Sequence, residues 1–157
     1  MNWFDSHLIP DKSVQIIYLP AQHNSVRNLI DFCKTLWGGW AICTNEFRFY
    51  FAGDTAYNAL MFQTIGRLVG PFDLAAIPIG AYEPRNILRM NHICPEEAVQ
   101  VHKDIGSKKS FGIHWGTFPL SDENFDDPCK DLATALDNLS CEPNEFVTLK
   151  IGQILRF

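Results

Sequence analysis

The sequence predicts an α/β fold, a sheet with helices packed against it. Three observations carry that prediction. Short apolar runs alternate with segments of helical spacing through the second half of the chain, the pattern of strands joined by helical crossovers. One run, Leu74-Ala75-Ala76-Ile77-Pro78-Ile79, is apolar throughout, as expected of a strand covered on both faces. The aromatic run Phe49-Tyr50-Phe51 ends abruptly at Ala52-Gly53-Asp54-Thr55. A carboxylate is thereby set where a strand opens into a loop, the region where α/β folds gather ligands.

Taken in order, Val14 to Leu19 reads as a strand stopped by Pro20, and residues 21 to 27 as a polar loop holding His23. The stretch from Asn28 to Thr35 is a short helix or a loop, ended by Gly38-Gly39. Trp40 to Cys43 and Phe47 to Phe51 form a predicted hairpin around Thr44-Asn45-Glu46. Met61, Ile65, Leu68 and Val69 fall at helical spacing, which predicts a helix from Asn58 to Val69. Pro95-Glu96-Glu97 opens another helix, because proline suits the first turn and acidic groups favour its positive end. Gly106 closes it. Ser110 to Ile113 is a strand with His114 just past its end. Pro128 to Leu139 is a helix with Leu132, Ala135, Leu136 and Leu139 on one side. Phe146 to Ile151 is a strand, and Gly152-Gln153 a turn.

At 157 residues the chain is one domain or part of one, and its 46% hydrophobic content is ample for a core. A net charge of -5 argues against nucleic-acid binding through a basic face, and against adhesion to anionic lipid by charge alone. Five cysteines without Cys-x-x-Cys spacing predict free thiols in a reducing compartment. The opening residues have neither the basic start nor the apolar core of a signal peptide. No apolar run approaches the ~20 residues of a membrane span. An intracellular location follows as the expectation, cytoplasmic or at a membrane periphery.

His23, Asp54 and His114 each follow an apolar strand, so all three can lie at one edge of the sheet. Imidazole and carboxylate suit zinc and related ions, although each residue on its own also suits a turn or a helix cap. Ser110 precedes His114 by four residues without any nucleophile-elbow pattern. The glycine pairs match no phosphate-binding fingerprint. Cys33 and Cys43 show no local reason for a lowered pKa. Lys108-Lys109 reads as a solvated turn, and His7 and His102 as surface residues.

Several segments resemble the metallo-β-lactamase superfamily, in particular its phospholipase D branch that hydrolyses N-acyl-phosphatidylethanolamine. The longest runs from Gly70 through Phe72-Asp73-Leu74 and Ile77-Pro78-Ile79-Gly80 to Tyr82-Glu83-Pro84-Arg85. Others are Pro20-Ala21-Gln22-His23, Leu36-Trp37-Gly38-Gly39-Trp40, Phe51-Ala52-Gly53-Asp54-Thr55, Pro95-Glu96-Glu97-Ala98-Val99 and Ile113-His114-Trp115-Gly116-Thr117-Phe118. The resemblance implies an αββα sandwich with two zinc ions at one edge. It assigns His23 to one zinc, His114 to the other, Asp54 to a bridge between them, and His92 to the substrate phosphate. It further implies hydrolysis of a phospholipid to phosphatidic acid and an N-acylethanolamine, contact with a membrane surface, and a homodimer.

The superfamily's His-x-His-x-Asp-His motif is absent from the chain. The expectation is therefore a C-terminal half, with residues 1 to 157 forming a partial domain that holds three of the family's metal-ligand positions. Position 26 is Val, where the resemblance leads one to expect a basic residue near the lipid head group. A related hydrolase acting on a lactone or a sugar phosphate, and a non-catalytic truncated product, are the alternative readings. A half-sandwich also exposes an apolar sheet face, which predicts poor solubility or loose packing for the chain made alone.

Overall fold

A computed structural model describes residues 1–10, 13–26, 28 and 30–156. The strands are β1 (Ser6–Ile9), β2 (Val14–Leu19), β3 (Gly39–Cys43), β4 (Arg48–Phe51), β5 (Leu74–Pro78), β6 (Ser110–Ile113) and β7 (Phe146–Val147). The helices are α1 (Ala59–Leu68), α2 (Arg85–Leu88), α3 (Pro95–Asp104) and α4 (Asp127–Asn138). The strands form one sheet in sequence order. The pairs from β1 to β4 are antiparallel and those from β4 to β7 are parallel.

Parallel neighbours need a crossover, and the strand-to-strand crossover is right-handed in nearly all proteins. Here every crossover steps in the same direction along the sheet. α1, α3 and α4 therefore land on one face. The core forms there: Leu19, Ala41, Tyr50, Ala75, Ile77 and Phe146 from the sheet meet Phe62, Ile65, Val99, Val101, Leu132 and Leu136 from the helices. The helix ends are fixed locally. The Asn58 side chain accepts from Met61 N at 3.1 Å, and Arg48 donates to the carbonyls of Val69 and Gly70 at 2.7 and 2.8 Å beyond the end of α1. Cys94 N donates to Glu97 at 3.1 Å at the start of α3, so one carboxylate satisfies an amide that the helix leaves unpaired.

Among the described residues, no helix covers the opposite face. Register places Ile16, Tyr18, Trp40, Ile42, Phe49 and Phe51 on it. Trp40, Ile42 and Phe51 are 37%, 41% and 40% exposed. β5 is nevertheless buried on both sides, as its sequence predicts. Leu74 and Ala76 lie beside the Phe49 and Phe111 rings, which stack with centroids 6.4 Å apart. One helical layer and one sheet make half of the four-layer arrangement that the resemblance implies.

Two expectations are corrected, one open reading is resolved, and two elements escaped the sequence reading. The predicted strand from Phe146 to Ile151 shrinks to Phe146–Val147. Of the two readings open for Asn28 to Thr35, a short helix or a loop, the described residues form the loop, while Arg27 and Leu29 lie outside the described residues. β1 and α2 carry no strong signal, because β1 is an exposed edge strand and α2 a single turn. His102 is 4% exposed rather than on the surface. Its ring meets the Ser110 hydroxyl at 2.8 Å, so its polar atom is satisfied inside the core. His7 is exposed, as expected, and all five cysteines are free thiols.

Candidate metal centre

The predicted site residues converge at the edge where β2, β4, β5 and β6 end and β3 begins. Gly53 sits just past β4 with φ of 65°, a left-handed conformation that glycine adopts without strain. It turns the chain so that Asp54 follows at the sheet edge. Thr55, fully buried, ties this turn to the loop after β2. Its hydroxyl accepts from Gln22 N at 3.0 Å and donates to Ala56 O at 2.8 Å. Ala56 N in turn donates to Gln22 O at 2.7 Å. His23 is thereby carried next to Asp54. Trp37 supports the same loop by donating to Ala21 O at 3.0 Å.

His114 follows β6 with φ of 61°. A side chain at Gly80 would place its Cβ 2.2 Å from the His114 carbonyl oxygen, so only glycine fits there. The His114 ring turns its Nδ1 toward Gly80 O at 3.3 Å and its Nε2 toward Asp54 at 3.5 Å. A carbonyl can only accept, so Nδ1 is the donor to Gly80 O, and Nε2 is the ring nitrogen on the Asp54 side.

His92 lies between the other two imidazoles, with centroids 5.3 Å from His23 and 5.3 Å from His114. Its backbone is held by Arg85, which donates to His92 O at 3.0 Å and makes a bidentate pair with Glu97 at 2.9 and 2.8 Å. Burial lowers the pKa of His92, and the two neighbouring imidazoles lower it further. His92 is therefore neutral at pH 7.

The three histidines and Asp54 lie together: strand ends bring His23, Asp54 and His114 to one edge, and the loop before α3 adds His92. The Asp54 side chain is 46% exposed, so solvent rather than burial sets its surroundings. An open cleft of about 610 Å³ has His23 and Asp54 in its wall, with Tyr18, Trp37 and Trp40. A second concavity of about 250 Å³ reaches His114 from the other side. Sequence reasoning missed Thr55, Glu97 and Glu123 as supports of the site. They reach it by contacts far apart in the chain, which no local spacing reports.

The donor chemistry suits a transition metal. His23 Nε2 and His92 Nδ1 are buried and make no hydrogen bond, and a buried polar atom without a partner calls for one. Among the described residues, however, no three His, Cys, Asp or Glu side chains close into a group able to hold an ion. Also among the described residues, no helix is long and apolar enough to cross a membrane.

Comparison with known proteins gives this geometry a context. The profile of the β-lactamase superfamily domain matches residues 1–115. The chain is 44% identical over 160 residues to N-acyl-phosphatidylethanolamine-hydrolyzing phospholipase D 1 of Caenorhabditis elegans, an alignment covering 98% of this chain and 44% of that protein. It is 35% identical over 138 residues to the mitochondrial N-acyl-phosphatidylethanolamine-hydrolyzing phospholipase D of Saccharomyces cerevisiae, covering 84% of this chain and 29% of that protein. Igni18, a metallo hydrolase from the archaeon Ignicoccus hospitalis, has a similar fold, with a TM-score of 0.69 at 22% identity over 98% of this chain and 57% of that one. The chain thus spans less than half the length of these two curated relatives.

Proposed function

Because the chain belongs to the β-lactamase superfamily, we propose that it supplies one half of a metal-dependent phosphodiesterase centre. The proposed substrate is N-acyl-phosphatidylethanolamine, hydrolysed to phosphatidic acid and an N-acylethanolamine. One observation carries the reading: His23, Asp54, His92 and His114 come from four separate loops and share one sheet edge. Names borne by similar proteins support the choice of lipid.

In this reading His23, Asp54 and His114 are the residues of this chain that would help hold two zinc ions. When bound, the ions activate water and stabilise the charge that develops on the phosphoryl oxygens. The rest falls to the chain's own side chains. His23 Nε2 offers a buried lone pair that has no competing partner. Asp54, partly open to water, can take a ligand without leaving a buried ion pair. His92 is neutral and can donate one hydrogen bond to a phosphate oxygen without adding charge. The remaining ligands come from a His-x-His-x-Asp-His segment outside residues 1–157, and the bare sheet face packs against the layers that carry it. The lipid is met at a membrane surface, and the complete protein is a homodimer.

The decisive test uses a protein that joins this chain to such a segment. Asp54→Asn is expected to lower lipid hydrolysis roughly a hundredfold or more and to reduce bound metal measured by atomic emission. Unchanged turnover removes Asp54 from the site. The open arrangement of donors favours a second reading for the isolated chain, a non-catalytic product. Tight uptake of two zinc ions by residues 1–157 alone would defeat it.

A further inference from the structure

The loop after β6 returns to the site from outside. Ala81 N donates to Glu123 Oε1 at 2.6 Å, and Glu83 N donates to Glu123 Oε2 at 3.0 Å. Asp122 N donates to Glu83 O at 3.1 Å. Three hydrogen bonds thus fasten residues 122–123 to residues 81–83, a separation of some forty positions in the chain. The clamped segment needs fastening, because Ala81 has φ of 62°, a conformation costly for a residue with a side chain. Burial pushes the Glu123 carboxyl up, but hydrogen bonds from the Ser121 side chain and from the amides of Glu83, Glu123 and Ala81 outweigh it. The group is held below the ordinary carboxylate value and stays ionised.

Gly80 immediately precedes this clamp. Its carbonyl is the partner of His114 Nδ1, and its Cα lies against the His114 backbone. Resting on the metal-centre reading above, we infer that Glu123 is a positioning residue for His114. Its carboxylate fixes the Ala81–Glu83 turn, the turn fixes the Gly80 carbonyl, and that carbonyl holds the Nδ1 proton so that Nε2 stays a free lone pair. Among the described residues, Glu123 makes no hydrogen bond to Asp54 or to the His114 imidazole.

The chain is wanted as wild type, Glu123→Gln and Glu123→Asp. Gln replaces one of two acceptor oxygens with a donor and removes the charge. Asp keeps the charge on a shorter arm. At pH 8, ¹⁵N-¹H long-range correlation spectra of imidazole-labelled protein report the tautomer of each histidine. The expected result is His114 with its proton on Nδ1 in wild type, a mixture of tautomers in Glu123→Gln, and recovery toward wild type in Glu123→Asp, while His102 is unchanged in all three. Wild-type tautomer populations in a folded Glu123→Gln overturn the inference. If Glu123→Gln does not fold, Glu123→Asp is read against wild type, and an unaltered His114 with a loosened clamp, seen as faster exchange of the Ala81 amide, overturns it equally. Cobalt(II) titration, followed by its visible bands, separates this question from the metal reading. Binding about tenfold weaker in Glu123→Gln supports both. When the titration uses the protein joined to a His-x-His-x-Asp-His segment, wild type that takes up no cobalt counts against the metal reading, and the tautomer result still decides the role of Glu123.

Discussion

The Tyr50 hydroxyl lies in the core and reaches no hydrogen-bond partner. Such a group forfeits its hydration, at a cost of about 1–3 kcal/mol. Tyr50→Phe keeps the ring, which packs against Phe72 with centroids 5.3 Å apart. Urea denaturation is therefore expected to show Tyr50→Phe equal to wild type or more stable by about 1 kcal/mol, and a clear loss would mean that the hydroxyl has a partner in solution. Tyr50 illustrates what a sequence discloses at this scale. That an aromatic run enters the core is legible from its apolar neighbours, whereas the fate of one oxygen atom depends on side chains distant in the chain. The same holds at the candidate metal centre. His23, Asp54 and His114 are legible because each stands in the loop that follows a strand. Glu123 is not, since Asp122-Glu123-Asn124 reads as any solvated loop until the fold returns it to Ala81.

Between elements, His102 is the joint that links α3 to β6 and β7. Its Nδ1 meets Ser110 at 2.8 Å, its ring lies 5.9 Å from Phe146, and Glu145 stands 4.0 Å from Nε2. Burial lowers its pKa below the ordinary 6.5, opposed by Glu145 and aided by Lys103. At pH 7 the ring is neutral, so the 4.0 Å approach of Glu145 is not an ion pair. The sign of the pH dependence follows. Below about 6.5 the unfolded chain binds a proton that the folded chain still refuses. Stability is complete above that pH and falls as pH drops toward the lowered folded value. Melting curves from pH 7.5 to 5 should show this loss, and His102→Gln should flatten it while leaving other acid-sensitive groups in place. An identical slope in the variant would remove His102 as the cause. Element type was readable where periodicity ran long, as in α1 and α4, or where end signals were clear, as at Pro95-Glu96-Glu97 and Gly106 around α3. It failed at β7, where pairing with β6 stops at Val147 and Thr148 to Ile151 continue without strand structure, and at His102, where a helical position said nothing about which face is buried.

At the scale of the whole molecule, the uncovered face of the sheet dominates. Trp40, Ile42 and Phe51 stand exposed beside Tyr18 and Phe49, and contiguous apolar area of this kind drives association. Light scattering of the chain alone is expected to rise with concentration, and the double variant Trp40→Lys, Ile42→Lys to suppress that rise without lowering the melting midpoint. A monomeric, sharply melting wild type at high concentration would show that the face is tolerated by itself. The α/β class was legible from strand and helix alternation, and the half-sandwich from the family resemblance. That α1, α3 and α4 share one face was not, because it follows from crossover handedness and strand order. The strand order has one more effect. Every loop of the candidate metal centre leaves the same rim of the sheet, while Thr44 to Phe47, Gly70 to Asp73 and Gly106 to Lys109 turn at the opposite rim. The molecule thus has a proposed working end and a handling end. A fluorophore, an affinity tag or a new chain terminus introduced at Asn45 sits a full strand length from the chemistry, which makes that hairpin the natural grip for immobilising the protein with its reactive rim turned outward.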